Sequence, residues 1–347
     1  MDIRHFDYDL PEHLIAQAPC PRRDDARLLV QRRGGPVLGH RHIRDLPDLL
    51  TPGDLLVLND TRVLPARLLG RRVATGGRWE GLFLREAAPG TWEMLCQTRG
   101  RLRDGEAVDV VPPGGGPALR LTYHGRTAAG HAVFGHAEAD AADVLLGRFG
   151  HVPLPPYIRK GRADAADRDR YQTVYARPPG SVAAPTAGLH FTPELFDRLD
   201  ARGVERAFVT LHVGVGTFQP VQTEDVTRHR VHREWCVVPP PTVAAVAACK
   251  ARGGRVVAVG TTTTRTLETA ALSGPLAPWS GESDLTIRPP FAFRVVEGLL
   301  TNFHLPRSSL LLLVAAFTGL EQMHEAYRVA VAEGYRFYSY GDAMLIR

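Results

Sequence analysis

Short stretches in which hydrophobic and polar residues alternate fill the chain from residue 62 to residue 150. RWEGLFL, TWEMLCQ and ALRLTYHG are examples, and turn-forming stretches such as ATGG, RLRDGE and PPGGG separate them. Alternation with a period of two predicts strands with one buried face, and turns at short intervals predict antiparallel pairing. The segment is therefore predicted to be a small antiparallel β-barrel that closes with a short helix over residues 140–150.

On both sides of this block, strand patterns alternate with helix patterns. In HFTPELFDRLDARG, Thr192 is a candidate N-cap, Pro193 suits the first helical turn and Gly203 ends the helix, after which VERAFVTLHV predicts a strand. Later, RVVAVG predicts a buried strand that is followed by a helix from about Arg265, and EQMHEAYRVAVAEG predicts a helix before a final strand in YRFYSYGDAMLI. This alternation is typical of an α/β layer.

The predicted fold class is thus an α/β domain with an inserted antiparallel β-barrel. The α/β domain is discontinuous and comprises residues 1–61 and 151–347, and the barrel comprises residues 62–150. The Pro-rich HVPLPPYIRKGR is predicted to be the linker that returns to the α/β domain.

Four apolar runs of the α/β part end in polar clusters: DLLVLNDTR, AFVTLHVGVGTF, VVAVGTTTTR and GLLTNFHLP. Ligands of open α/β sheets bind beyond the carboxyl ends of the strands, so we expect these ends to converge on one polar pocket. Each cluster alone is more often a set of turn-forming or helix-capping residues than a site, so the prediction of a pocket depends on all four together. The substrate-binding candidates from these ends are Asn59, Thr61, Arg62, Thr210, Gly214, Gly216, Thr217, Gly260, Thr261, Thr262, Arg265, Asn302 and Phe303.

The stretch TLHVGVGTF begins like a dinucleotide-binding loop. Gln219 stands where the third glycine of that fingerprint is needed, and Pro220 follows it, which counts against an NAD-dependent oxidoreductase. We predict instead a substrate-lining loop in which glycines let the backbone approach the ligand closely. In VGTTTTR, a strand–threonine–helix junction offers backbone N–H groups to an anion, and the absence of a GxxxxGK[ST] loop favours a carboxylate over a triphosphate.

Three histidines, His190, His212 and His304, lie at predicted element ends and are, with Asp60, the candidate catalytic acids and bases. His190 belongs to APTAGLHF, a constrained loop whose Thr186 and Gly188 are further substrate-binding candidates. A structural hydrogen-bonding role remains the alternative for each histidine. No metal site is predicted, because the histidine pairs at 40/42 and 229/232 lack carboxylate or cysteine neighbours and the cysteines lack CxxC spacing.

Composition and the distribution of apolar residues limit the possible partners and location of the protein. The formal net charge of +5 and the sequence pI of about 9.2 suit an acidic partner without identifying one. The longest strongly apolar run, LLLLVAAF, is shorter than the roughly 20 residues of a membrane span, and the N-terminus lacks a basic-then-apolar signal pattern. We therefore expect a cytoplasmic protein with no membrane partner.

Together these stretches resemble the S-adenosylmethionine:tRNA ribosyltransferase-isomerase family of queuosine biosynthesis. The resemblance runs nearly from end to end and includes DYDLPEHLIAQAP, GDLLVLNDTRVLPARL, AAPTAGLHFT, FVTLHVGVGTFQPV, VVAVGTTTTRTLE and LLTNFHLPRSSLLLLVAAF. It implies an enzyme that transfers the ribosyl part of S-adenosylmethionine to 7-aminomethyl-7-deazaguanine at the wobble position of tRNAs with a GUN anticodon. The products are epoxyqueuosine-tRNA, adenine and methionine. S-adenosylmethionine is then a consumed substrate, and neither a cofactor nor a metal is expected.

The chemistry of this reaction assigns tasks to the candidates. A sulfonium makes the neighbouring C5′ hydrogens acidic, so a positioned base removes one of them, and His190, His212, His304 or Asp60 is suited to that role. The methionine carboxylate suits the Thr261–Thr262 helix start with Arg265.

One loop departs from the family. The chain has Arg288-Pro289-Pro290 where the family usually has Tyr-Pro-Gly, so no aromatic stacking role is carried over to residue 288. The nucleobase at the wobble position of the tRNA is expected to flip out of the anticodon stack into the pocket.

A non-catalytic RNA-binding adaptor is the alternative function. Candidate phosphate contacts are Arg159, Lys160, Arg162, Arg228, Arg230 and Arg233.

Overall fold

The structure is a computed structural model that describes residues 1–214, 216, 221 and 223–347. The chain divides into two compact units. The α/β unit comprises Met1–Arg62, Gln172–Pro178 and Ala184–Arg347, and the barrel unit comprises Val63–Tyr171 and Pro179–Ala183. The barrel unit therefore extends beyond the predicted boundary at residue 150. The chain after that residue continues the barrel sheet, because Gly150 and His151 pair with Leu68 and Arg67.

The strands of the described residues, in chain order, are β1 (Arg27–Gln31), β2 (Val37–His42), β3 (Leu55–Asn59), β4 (Arg62–Val63), β5 (Arg67–Arg72), β6 (Arg78–Ala88), β7 (Thr91–Thr98), β8 (Ala107–Val110), β9 (Leu119–Arg126), β10 (Ala132–Gly135), β11 (Gly150–His151), β12 (Pro179–Ser181), β13 (Glu205–Leu211), β14 (Glu234–Val238), β15 (Val256–Val259), β16 (Trp279–Ser283), β17 (Gly298–Asn302) and β18 (Ala343–Ile346). The final predicted strand, YRFYSYGDAMLI, is thus extended only in its last part.

The α-helices of the same residues are α1 (Leu46–Leu49), α2 (Ala142–Phe149), α3 (Asp167–Arg170), α4 (Pro193–Ala201), α5 (Pro240–Ala251), α6 (Thr261–Ala270), α7 (Ser309–Thr318) and α8 (Leu320–Ala332). Short 3₁₀ helices include Arg23–Asp25, Arg159–Gly161 and Thr186–His190. In the part of the chain that the structure describes, no helix is both long enough and apolar enough to cross a membrane.

The α/β unit is built on a mixed sheet with the order β16-β14-β13-β3-β15-β17-β18-β1-β2. Its centre, β13-β3-β15-β17, is parallel. Every residue of β3, β15 and β17 is buried, as expected for parallel strands whose two faces are covered. Helix α4 packs its Leu195 and Leu199 into the same core as Leu58 and Val259.

The barrel unit contains a closed ring of antiparallel strands. The order β5-β6-β7-β10-β9-β8 is closed by the pairing of β5 with β8, and β11 adds to the outside of β5. The inward side chains include Trp79, Trp92 and Phe134, which are almost completely buried. Closure leaves the ring without a free edge. The predicted fold class, an α/β domain with an antiparallel β-barrel, is confirmed.

Helix α6 begins at Thr261, four residues before the predicted start at Arg265. Gly260 is the N-cap, with φ of 91° and ψ of 156°, and no side chain caps the helix. The alternative interpretation of this cluster as a threonine N-cap is therefore wrong. Thr263 and Thr264 instead donate their hydroxyls to the carbonyls of Val259 and Gly260, one turn back along the chain.

We expect the variant Gly260→Ala to lower the free energy of unfolding by about 1–3 kcal/mol, because this backbone conformation is almost exclusive to glycine. The nearest atoms to an added Cβ are 3.7 Å away, so the cost arises from the backbone and not from a clash. Urea denaturation measures the effect. Gly274→Ala is the control, since an added Cβ there meets nothing within 4 Å. Equal stabilities of the two variants would contradict this assignment.

Candidate active site

The four polar strand ends predicted to converge do lie side by side. Strands β13, β3, β15 and β17 are consecutive parallel neighbours, so their carboxyl ends share one edge of the sheet. The residues that follow β3, β13 and β15 are Asp60, His212 and Gly260. This edge is where ligands of open α/β sheets bind.

Asn59, the last residue of β3, joins three of these elements. Its Nδ2 donates to the carbonyl of Leu211 at 3.0 Å and to Thr262 Oγ1 at 3.3 Å. Its Oδ1 accepts from the backbone N–H groups of Thr61 and Leu211. The amide is completely buried and all its hydrogen-bonding groups are engaged. Asn59 therefore fixes the relative positions of β3, β13 and α6 and is a positioning residue.

Asp60 and His212 lie next to this linkage. Asp60 Oδ1 accepts from Thr210 Oγ1 at 2.7 Å, and burial raises the pKa of the carboxyl group. His212 Nδ1 lies 2.8 Å from Thr61 Oγ1, and partial burial lowers the pKa of the imidazole, although the charge of Asp60 opposes this shift. Thr210 and Thr61 thus hold the two candidate acid–base groups, and the imidazole is neutral at pH 7.

A buried ion pair that the sequence did not reveal connects β14 to α6. Glu234 Oε2 lies 2.6 Å from Arg265 Nη1, and Glu234 Oε1 accepts from the backbone N–H of Gly214 at 2.7 Å. Arg265 also donates to the carbonyl of Ser283, while its Nε has no partner among the described residues. The only feature of the sequence that could have indicated this pair is the carboxylate of Glu234 at the start of the apolar stretch EWCVV.

A cavity of about 220 Å³ opens beside this ion pair. The N-terminus of α6 reaches it through Thr261 and Thr262, and Arg265 forms part of its wall. The cavity is rich in cationic and imidazole groups, and Glu234 is its only carboxylate among the described residues. Its described lining comprises Gly216, Thr223, Arg228, His229, Arg230, Val231, His232, Glu234, Thr261, Thr262, Arg265, Ser309 and Leu310.

His190 lies deeper in the unit, in a hydrogen-bonded group with two other predicted site residues. Asn302 Nδ2 donates to His190 Nε2 at 3.1 Å, and Asn302 Oδ1 accepts from Thr186 Oγ1 at 2.9 Å. A further hydrogen bond joins His190 to the backbone of Arg23. Burial lowers the pKa of His190 to about 4, so the ring is neutral. Its hydrogen bond to Asn302 holds β17 against the Thr186–His190 turn.

Two predicted site residues, Phe303 and His304, are buried in the core of the α/β unit. Their role at the substrate site stays a prediction. Phe303 is fully buried against the rings of Tyr327 and Phe337. His304 Nε2 lies 2.7 Å from Thr301 Oγ1, and burial lowers the pKa of the ring to about 3. Both residues follow β17 and contact Tyr327 of α8, Phe303 through its ring and His304 through its backbone N–H.

Two glycines occupy positions of close approach. A Cβ on Gly188 would lie 2.1 Å from the hydroxyl of Tyr175, and a Cβ on Gly216 would lie 2.0 Å from the His232 ring. The crowding at these glycines therefore comes from side chains of this chain. Arg62 is exposed and donates to the carbonyl of Ala176. The predicted candidate Thr217 lies outside the described residues.

No group of three or more His, Cys, Asp or Glu side chains suited to a metal ion occurs within residues 1–214, 216, 221 and 223–347. The cysteines at positions 20, 96, 236 and 249 form no disulfide bonds.

The fold and this edge of the sheet define a two-unit α/β enzyme with an inserted antiparallel barrel. The family described as "Queuosine biosynthesis protein" matches residues 3–346. The chain therefore belongs to the queuosine biosynthesis family, and the family and enzyme class predicted from the sequence are confirmed.

Relatives named S-adenosylmethionine:tRNA ribosyltransferase-isomerase match along the whole chain. The protein of Acidithiobacillus ferrooxidans is 56% identical over 355 residues, covering 100% of this chain and 98% of the relative. That of Moorella thermoacetica is 50% identical, with 100% of both chains covered. The crystal structure of S-adenosylmethionine tRNA ribosyltransferase from Thermotoga maritima is 38% identical with a TM-score of 0.57, covering 99% of this chain and 100% of that chain.

Proposed function

We propose that this enzyme transfers the ribosyl moiety of S-adenosylmethionine to 7-aminomethyl-7-deazaguanine at the wobble position of tRNAs with a GUN anticodon. Adenine and methionine leave, and epoxyqueuosine-tRNA forms. S-adenosylmethionine is consumed as a substrate, with no cofactor or metal, and the reaction takes place in the cytoplasm. The observation that carries the proposal is the end-to-end match, at 50% identity or more, to relatives bearing this activity in their name.

The cavity beside α6 has the chemistry to hold the methionine end of S-adenosylmethionine. A carboxylate suits the backbone N–H groups and positive dipole at the start of α6 together with the guanidinium of Arg265, which lines the cavity. The methionine ammonium suits the carboxylate of Glu234, which already lies beside that arginine. A buried pair of opposite charges at a helix start thus complements a zwitterion, and we place the methionine moiety there.

For the proton abstraction at C5′ we propose His212 as the base. Its imidazole is neutral because its pKa is lowered, and the hydrogen bond between Nδ1 and Thr61 leaves Nε2 directed elsewhere for proton transfer. The carboxylate of Asp60 lies on the same edge, and because its charge raises the His212 pKa, it favours the imidazolium that forms. His190 and His304 have their contacts within the fold and are assigned no proton transfer.

The pH dependence of turnover follows from these assignments. A base must be unprotonated, and the pKa of His212 lies below the usual 6.5, so the rate is expected to be half-maximal below pH 6.5 and to fall on further acidification. In Asp60→Asn the His212 pKa falls further, because the carboxylate that raises it is gone. NMR titration of the His212 imidazole checks this shift even if the variant is inactive. An unchanged or raised pKa would contradict the coupling.

The experiment that tests the function combines the enzyme with S-adenosylmethionine and tRNA carrying 7-aminomethyl-7-deazaguanine. Chromatography follows adenine, and mass spectrometry follows the tRNA nucleoside. We expect stoichiometric adenine and a nucleoside that carries an epoxycyclopentanediol. A folded protein that binds tRNA and releases no adenine would overturn the proposal in favour of an RNA-binding adaptor. tRNAs with other anticodons test the GUN requirement.

A further inference from the structure

A wide groove of about 1110 Å³ runs over the outer surface of the barrel unit. Five arginines form part of its described lining, against a single carboxylate, that of Glu80. The arginines are Arg67, Arg71, Arg78, Arg99 and Arg162. The groove is therefore strongly cationic. Packing of the barrel core does not explain these arginines, because their side chains point outward from the ring.

The strand register aligns three of these arginines in a row across β5, β6 and β7. Arg71 is the direct partner of Arg78. Trp79 pairs with Thr98, the last residue of β7, and Arg99 follows it, so Arg99 comes next to the Arg78 end of β6 and lines the same groove. Like charges directly opposite each other destabilise a sheet. The row Arg71–Arg78–Arg99 is thus an unfavourable arrangement for the isolated barrel.

The neighbouring carboxylates do not neutralise this row. Glu80 receives two hydrogen bonds from Arg67, at 2.7 and 3.0 Å. Asp109 is opposite Arg71 in β8, but both its oxygens accept from Arg120, at 2.8 and 2.9 Å. Arg78 and Arg99 are exposed, and neither side chain has a hydrogen-bond or ion-pair partner among the residues that the structure describes. Arg71 donates to the carbonyl of Gly76, and the exposed guanidinium groups of the row are available to an external anion.

We propose that the row Arg71–Arg78–Arg99 binds successive backbone phosphates of the tRNA. Adjacent strands are about 4.8 Å apart, so the row presents several guanidinium forks at short spacing, and each fork suits a phosphate. A polyanion satisfies all of them at once and removes the repulsion within the row. The inference rests on the proposed function, which makes tRNA the substrate, and it adds a binding surface on the barrel.

This surface overlaps only in part with the one that the sequence suggested. Of the basic cluster predicted beside the barrel, Arg159 is neutralised by Asp164 and Asp167. Arg162 is exposed and lies in the groove. The row residues could not be identified from the sequence, because they are far apart along the chain and only the strand register brings them together.

The test uses the full-length double variant Arg78→Gln/Arg99→Gln. We expect about a ten-fold rise in the KM for tRNA, while kcat and the KM for S-adenosylmethionine stay unchanged. The slope of log affinity against log salt should fall by about 0.7–0.9 for each phosphate that the variant no longer binds. Arg78→Lys/Arg99→Lys retains the charge and should retain most of the slope. The double variant Arg198→Gln/Arg202→Gln is the charge-matched control, because it also removes two exposed arginines, and these lie in and directly after α4, away from the groove.

Direct binding of labelled tRNA, followed by fluorescence anisotropy, separates this inference from the proposed function. If the wild-type enzyme releases no adenine, the proposed function fails, and the anisotropy titration still tests the row. If the wild-type enzyme is active and the glutamine variant keeps its tRNA affinity and salt slope, the row does not bind tRNA. Loss of binding to phosphatidylglycerol vesicles with unchanged tRNA binding would assign the row to a membrane surface and also overturn the inference.

Discussion

The variant His212→Ala is expected to release adenine about 10²–10⁴-fold more slowly than the wild-type enzyme, with folding and tRNA affinity unchanged. The reason is the loss of a neutral imidazole held at the common edge of the parallel strands by its hydrogen bond to Thr61. Single-turnover release of adenine at saturating S-adenosylmethionine and tRNA measures the effect on the chemical step.

Two further variants test whether the loss of activity in His212→Ala is specific to this imidazole and its orientation. Thr61→Val keeps the base and removes only the hydrogen bond that orients it, so we expect a smaller loss than in His212→Ala. His13→Ala removes an exposed histidine remote in sequence from the strand ends and should behave as the wild type. Full activity of His212→Ala would exclude His212 as the base and direct attention to Asp60.

Replacing Glu234 by glutamine is expected to lower the free energy of unfolding by about 3–5 kcal/mol, because it leaves the buried charge of Arg265 without its counterion. The side chains of Glu234 and Arg265 are only 4% and 10% exposed, so water compensates little of the loss. Denaturation in urea measures the change. The exposed pair Glu325–Arg328 supplies the control, since Glu325→Gln should change stability by at most about 1 kcal/mol.

The double variant Glu234→Gln/Arg265→Met separates the two roles of this pair. Removing both charges eliminates the uncompensated guanidinium, so stability should largely recover relative to Glu234→Gln. Affinity for S-adenosylmethionine should not recover, because both proposed partners of the methionine zwitterion are gone. The single variant Arg265→Met completes the comparison. If the stability loss of the double variant equalled the sum of the losses in Glu234→Gln and Arg265→Met, a direct buried pair would be contradicted.

Local patterns were informative wherever the physical cause was local. Period-two alternation and regular turns predicted the barrel strands, because exposure alternates along any half-buried strand. Thr192 caps α4 through the bond from Leu195 N to its hydroxyl, as its sequence position predicted. The start of α6 was misplaced because Gly260 caps it through its backbone conformation, which a run of four threonines does not reveal.

The sequence by itself determined the two-part fold, the family and the strand ends that meet at one edge, because hydrophobic periodicity and long family stretches are written along the chain. Only the tertiary structure separated the histidines, since His212 lies at the strand edge whereas His304 turns into the core. It also decided the Glu234–Arg265 pair and the row Arg71–Arg78–Arg99. Burial, counterions and cross-strand register depend on residues distant along the chain, so no local pattern encodes them.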